Sequence, residues 1–248
     1  MKLRHSLNRM LSIGLFLAAT LLLFILVIGC DVQSQTTKTE ETTSDARILA
    51  LGDSIIAWNA GESASIPDVI GQRLGRDVVN ASVSGALFSA DDPEAAKEGL
   101  DIRAQYREGN WGWLVLDGGG NDFGDECGCG ECRNVLNELI SSSGQSGEIP
   151  VFVKGIAESG LKVLYLGYAK PPSGSEFEAC TATLDVFHSR LQSMANSFNN
   201  VFFLPNSNVI DSSNLALFDG DLVHPSILGS KIIGERVAEE ILKIEAAQ

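Results

Sequence analysis

Ile48-Leu49-Ala50-Leu51-Gly52-Asp53-Ser54 is the stretch on which the reading of the fold turns. Four apolar residues run without a break, as in a strand covered on both faces, and stop at a glycine followed by a carboxylate and a hydroxyl. Further along, the same kind of run recurs at Val78-Val79, Leu114-Val115-Leu116, Val163-Leu164-Tyr165-Leu166 and Val201-Phe202-Phe203-Leu204. Helical stretches lie between the runs. Ile66-Pro67 opens one that reaches Leu74, with Gly75 as its stop. Residues 93–108 and 133–142 are two more candidates. Residues 181–198 place Leu184, Phe187, Leu191, Met194 and Phe198 on one face, and residues 225–245 do the same with Ile227, Leu228, Ile232, Ile233, Val237, Ile241 and Leu242. Strands alternating with helices predict an α/β domain whose five strands form a parallel sheet through right-handed βαβ units. Ligands bind such sheets beyond the carboxyl ends of the strands, so the polar residues that follow each run are the candidate site.

The rest of the chain frames that domain. Residues 1–29 begin with Lys2, Arg4 and Arg9, continue through a nearly unbroken apolar run from Met10 to Ile28, and carry no acid. This is the pattern of a signal segment. Its ending, Val27-Ile28-Gly29-Cys30, resembles the lipobox of bacterial lipoproteins, which implies cleavage before Cys30 and lipid on that cysteine. An uncleaved membrane anchor is the alternative, because the run is long enough to span a bilayer. Asp31 directly after the cysteine implies, by the same resemblance, the periplasmic side of the inner membrane. Residues 30–45 contain hardly any apolar side chain and read as a flexible tether. Residues 46–248 then form one domain, large enough to bury a core. The formal net charge of −14 makes nucleic acid an unsuitable partner and disfavours docking on anionic headgroups, which leaves the N-terminal lipid as the expected contact with a membrane. A monomer is expected.

Ser54 opens a loop at the sheet's carboxyl edge, and a serine hydroxyl needs a base to become a nucleophile. Beyond the signal segment the chain has two histidines. His188 lies beside the apolar stripe of its helix and reads as structural. His224, in Asp221-Leu222-Val223-His224-Pro225, follows a loop and has a carboxylate three residues away, the arrangement that fixes one imidazole tautomer; as a bare pattern it fits a turn equally well. The third run ends Asp117-Gly118-Gly119-Gly120-Asn121-Asp122, where the Asn121 amide is placed to donate to an oxyanion. No Lys-Ser or Lys-Thr follows, so a P-loop is unsupported. Asn80-Ala81-Ser82-Val83-Ser84-Gly85 follows the second run and offers the Gly85 N–H to the same cleft. Trp58, four residues past Ser54, reads either as a pocket wall or as core.

Together these blocks resemble the SGNH hydrolases, a branch of the GDSL-like esterases and lipases. Gly52-Asp53-Ser54 matches the nucleophile block, with Ile55 in place of the usual leucine. Asn80 to Gly85 matches the glycine block, Gly119-Gly120-Asn121-Asp122 the Gly-x-Asn-Asp block, and Asp221 to Pro225 the Asp-x-x-His-Pro block. The blocks come in the family's order and span the domain. The resemblance implies a flavodoxin-like three-layer sandwich. It implies Ser54 as nucleophile, His224 as base and Asp221 as its orienter, with an oxyanion hole made by Ser54, Gly85 and Asn121. It implies loop-bonding roles for Asp53 and Asp122, and no cofactor. The expected substrate is a carboxylic ester: a small acyl ester, an acylated sugar or other glycan ester, or a thioester. A non-catalytic binding or scaffold protein of the envelope on a retained hydrolase fold is the competing reading.

The departure from the family lies in residues 123–132, a cysteine-rich insert directly after the oxyanion block. With Cys30 set aside, Cys127, Cys129, Cys132 and Cys180 remain. The Cys129-x-x-Cys132 spacing suits a metal, but an oxidising envelope favours disulfides, so no metal is expected. The loops after the third and fourth strands meet in this fold, so Cys180 is expected to pair into the cluster, with Cys127–Cys132 the favoured second bridge.

Overall fold

A computed structural model describes residues 47–248. The signal segment, Cys30 and the tether lie outside the described residues. Among the described residues, no helix is long and apolar enough to cross a membrane.

The strands are β1 (Arg47–Leu51), β2 (Val78–Asn80), β3 (Trp111–Leu116), β4 (Lys162–Leu166) and β5 (Val201–Leu204). All pairings are parallel and the spatial order is β2-β1-β3-β4-β5. This is the flavodoxin-like order, and its switch point falls between β1 and β3, where the connections leave to opposite sides. Alternation along the strands divides the core. Ile48, Ala50, Trp113, Val115, Leu164 and Leu166 face one helical layer, and Leu49, Leu51, Leu114, Leu116, Val163 and Tyr165 face the other.

The first layer is α2 (Ile66–Leu74) and α8 (Ile227–Ala246); α1 (Ser54–Ala57) is the single turn that follows β1. Ser65 and Asp68 close a capping box on α2, and Gly75 ends it at φ 66°. Arg76, just past α2, makes two 2.8 Å bonds to Glu245 of α8, and the indole of Trp113 donates to the same carboxylate. The expected apolar stripe on α8 is shifted. Ile227, Leu228 and Leu242 are exposed, and the buried line runs through Gly229, Gly234, Val237, Ala238, Ile241 and Ile244. Close approach causes the shift: a Cβ on Gly229 would meet the Leu217 carbonyl at 2.1 Å, and one on Gly234 would meet Val69 of α2 at 2.6 Å.

The opposite layer holds α3 (Pro93–Glu98), α4 (Gly120–Cys127), α5 (Arg133–Leu139), α6 (Glu148–Ala157) and α7 (Thr181–Ala195). The stretch 93–108 is not one helix. It stops at Gly99 (φ 78°), and Asp101 caps a separate 3-10 turn at Ile102–Gln105. The helix expected over 133–142 ends at Leu139, and α7 ends before Phe198, which still packs on the core. Two helices go beyond the sequence reading. α4 carries the cysteine-rich segment, and α6 buries Ile149, Val153 and Ile156 behind a glycine start that lacks a side-chain cap. Disulfides join Cys127 to Cys132 and Cys129 to Cys180.

The Cys129–Cys180 bridge closes a loop of 51 residues. The double variant Cys129→Ser/Cys180→Ser should therefore lose about 2–4 kcal/mol of stability, chiefly through the unfolded chain. Urea denaturation checks this, and an unchanged midpoint would count against it.

Candidate active site

The site is built on the corner that ends β1. Gly52 has φ 145°, and a Cβ there would stand 1.7 Å from Asp117 Oδ1, so both the conformation and the space require glycine. Asp117 follows β3, and its Oδ1 accepts the Asp53 N–H at 2.9 Å. Gln105 clamps the preceding peptide from the other side. Its Oε1 accepts the Gly52 N–H at 2.8 Å, while its Nε2 donates to the Gly52 and Gly99 carbonyls. Asp53 caps α1 by accepting from Ile55 N at 2.9 Å, and its other oxygen accepts the Tyr168 hydroxyl at 2.6 Å. Tyr168, just past β4, accepts in turn from the Gly120 N–H at 2.8 Å. Burial pushes the Asp53 carboxyl up against the pull of the Tyr168 and Ile55 bonds. Burial and then the neighbouring Asp53 push Asp117 well above the usual carboxylate range.

This corner delivers Ser54 to the first position of α1. Its N–H is one of the helix's orphan donors, and its hydroxyl is within 2.8 Å of His224 Nε2. His224 Nδ1 lies 2.7 Å from Asp221 Oδ2, and Asp221 Oδ1 accepts from the N–H groups of Val223 and His224. Desolvation raises the Asp221 carboxyl, but the His224 ring and these backbone donors outweigh it and hold Asp221 below its ordinary value. The loop carrying both residues is pinned at its base by a bridge between Phe218 and Pro225 and by a 2.7 Å bond from Asp219 N to the His224 carbonyl. Asn59, beyond α1, donates to the Pro225 carbonyl and to Ser230 Oγ, tying the two halves of the site together.

Trp58 is part of the site and not of the core. Its ring stacks on the His224 imidazole at 3.7 Å and 6°, and its Nε1 donates to Asp219 Oδ2 at 3.0 Å. The oxyanion candidates line the same cavity as Ser54. Gly85 has φ 82°, and its N–H meets no acceptor among the described residues. Asn121, in the first turn of α4, spends one amide N–H on the Ala86 carbonyl at 3.1 Å, which orients the group and leaves its second N–H for a ligand. Asp122 accepts from Phe88 and Ser89 N–H and so holds the segment after Gly85 against α4. His188 lies apart from this group. Its Nε2 accepts the Tyr168 N–H at 3.0 Å, and burial lowers the ring's pKa to about 4.

A family model of GDSL-like lipases and acylhydrolases matches residues 50–232. The chain belongs to this family. Among curated proteins, no relative matches it at a significant level. Solved structures share the fold at low identity. A family 3 carbohydrate esterase from Clostridium thermocellum is 17% identical (TM-score 0.55, 82% of this chain and 98% of that one). An aryl esterase from M. smegmatis is 18% identical (TM-score 0.52, 81% and 100%), and the carbohydrate acetylesterase Est24 from Sinorhizobium meliloti 16% (TM-score 0.51, 81% and 100%). This GDSL-like acylhydrolase is an ester hydrolase of the SGNH type with its family blocks converging at the β1–β3 switch point. Gln105, Asp117, Tyr168 and Asp219 belong to no such block. Asp117 alone left a sequence signal, as a carboxylate closing an apolar strand run.

His188 supplies a pH test of the scaffold. Its pKa is lowered from 6.5 to about 4 in the folded protein, so the folded state binds fewer protons than the unfolded chain in that window. Stability is then fully present above pH 6.5 and lost as pH falls toward 4. His188→Gln, which keeps an acceptor for Tyr168, should remove about 1–3 kcal/mol of that acid loss. Denaturation of both proteins at pH 7 and pH 4.5 reads the difference; parallel losses would refute it.

Proposed function

We propose that the protein hydrolyses carboxylic esters through an acyl-enzyme on Ser54. The observation that carries the proposal is the continuous relay Ser54 Oγ–His224 Nε2–Asp221, at 2.8 and 2.7 Å. In the first half-reaction His224 Nε2 takes the Ser54 proton as Oγ bonds to the ester carbonyl carbon. Charge collects on the former carbonyl oxygen, where the N–H groups of Ser54 and Gly85 and the free N–H of Asn121 receive it. Asp221 holds the other imidazole nitrogen and offsets the positive charge that the ring gains. The ring then returns the proton to the leaving alcohol as the C–O bond breaks. Water repeats the sequence, with His224 as base, and releases the acid and free Ser54. A non-catalytic scaffold has no use for a serine, base and carboxylate in register, which supports the enzymatic reading.

The proposal extends to location. The Val27-Ile28-Gly29-Cys30 ending supports lipid attachment at Cys30, with the domain held by its tether on the periplasmic side of the inner membrane.

Ser54→Ala should abolish ester turnover and covalent labelling by a fluorophosphonate while the far-UV spectrum stays that of the wild type. Hydrolysis of p-nitrophenyl acetate by Ser54→Ala at the wild-type rate would overturn the assignment. Asn121→Ala should lower kcat by roughly 100- to 1000-fold, the usual loss for one oxyanion donor. A fall confined to KM would move Asn121 out of the oxyanion hole.

A further inference from the structure

The cavity above Ser54 encloses about 500 Å³, enough for a ligand of ten or more heavy atoms and more than an acetyl group needs. Away from the relay its wall is mostly apolar, with Asp125, Ser175, Glu176 and Asn206 among its polar members. Phe177, Leu184 and Cys129 line it from the core cluster on one side of the sheet, and Ile210, Leu217 and Phe218 from the cluster on the other. Leu184, Leu217 and Phe218 are buried among the core residues, so this wall is set by packing and does not depend on a ligand.

The ionisable side chains on the lining are Asp53, Asp125, Glu176, Tyr168 and His224, with no lysine or arginine. Lys170 is exposed, and although its neighbours Ala169 and Pro171 are on the lining, it is not. The leaving group must sit beside His224 Nε2, which returns its proton. Two more carboxylates surround that ring: Asp221 on its Nδ1, and Asp219 on the Trp58 that stacks against it. An anionic leaving group therefore enters a cavity whose lining carries acids and neither lysine nor arginine, on a chain of net charge −14.

Resting on the hydrolase reading above, we propose that the substrate is an ester of an uncharged alcohol or thiol with a medium-length acyl chain. The apolar cavity takes the chain, and the acidic surround rejects phosphate-bearing leaving groups such as coenzyme A.

The test uses the full-length protein and two substrate series. With p-nitrophenyl esters from acetate to octanoate, kcat/KM should climb roughly three- to fourfold per methylene until the cavity is full, the gain expected for burying each CH2. Gly124→Leu, which puts a side chain on the cavity wall, should depress octanoate more than acetate. In the second series octanoyl-N-acetylcysteamine is compared with octanoyl-coenzyme A, which carries the same thioester on an anionic leaving group. The charged substrate should be at least tenfold poorer. The gap should narrow in high salt and in Asp125→Lys/Glu176→Lys, which separates charge from bulk. Highest activity on acetate, or a gap insensitive to both salt and charge reversal, overturns the proposal. Fluorophosphonate labelling distinguishes the two levels: a labelled Ser54 without these preferences overturns the substrate class alone, whereas an unlabelled Ser54 overturns the hydrolase reading as well.

Discussion

The bond from Asp53 N–H to the Asp117 carboxyl is the constraint on which the site depends. β1 and β3 are neighbours in register, with Leu51 opposite Leu116, so the residues that leave the two strands meet at once. Asp117 takes the Asp53 N–H, Gly52 makes room for it, and the chain turns over the sheet edge to place Ser54 at the start of a helix. Both carboxyls are almost wholly buried, a costly arrangement. The cost is offset by the hydrogen bonds the two carboxyls accept: the Asp53 N–H on Asp117, and the Tyr168 hydroxyl and Ile55 N–H on Asp53. The Tyr168 hydroxyl links Asp53 to the Gly120 N–H, so the ends of β1, β3 and β4 share one hydrogen-bonded network. Ser54 and the Asn121 amide are thereby fixed relative to each other through protein interior and not through surface loops.

The acids of the site divide by environment. Asp53 and Asp117 are buried and pushed upward, which suits them to hold backbone. Asp221 is partly open to solvent and pulled downward by three donors, which suits it to remain a carboxylate against an imidazole that gains charge. Asp219 reaches the same imidazole indirectly: its side chain holds the Trp58 indole, whose face covers the ring, and its N–H holds the His224 carbonyl. The His224 ring is thus set from its edge by one carboxylate and, through Trp58, from its face by the other.

Much of this was legible in the sequence, and the reason is local. Unbroken apolar runs declare doubly covered strands, and each polar residue directly after a run inherits its place at the sheet edge. Ser54, Asn121 and Gly85 could be put in one cleft on that basis, whereas the spacing of three between Asp221 and His224 fits a turn equally well and only the resemblance to the family block joined them to the site. In the supporting network only Asp117, which closes the third run, carries such a mark. Gln105 acts on Gly52 across 53 positions, Asp117 on Asp53 across 64, and Tyr168 on Asp53 across 115, and nothing in the short-range pattern of any of them announces its partner. The shifted stripe of α8 fails for a related reason. Periodicity counts apolar side chains, whereas the close contact with α2 is made at Gly234, which has no side chain to count.

The cysteine-rich departure from the family pattern has a physical account in α4. That helix contains Gly120 and Gly124 and ends at Gly128, each on the cavity lining. A Cβ at Gly120 would strike the Tyr168 ring at 2.8 Å, and one at Gly124 would press on Phe177. The glycines therefore keep the cavity open and let Tyr168 reach the Gly120 N–H. Gly124, inside the helix, also weakens it by about 1 kcal/mol relative to alanine, in the segment that must hold Asn121 still. The two disulfides stand at the end of this helix, one closing the turn after it and the other bolting that turn to the start of α7. Phe123, fully buried against Phe187 of α7, anchors the middle of the helix. A wall thinned to admit substrate is stiffened covalently at the end where packing alone has least to hold.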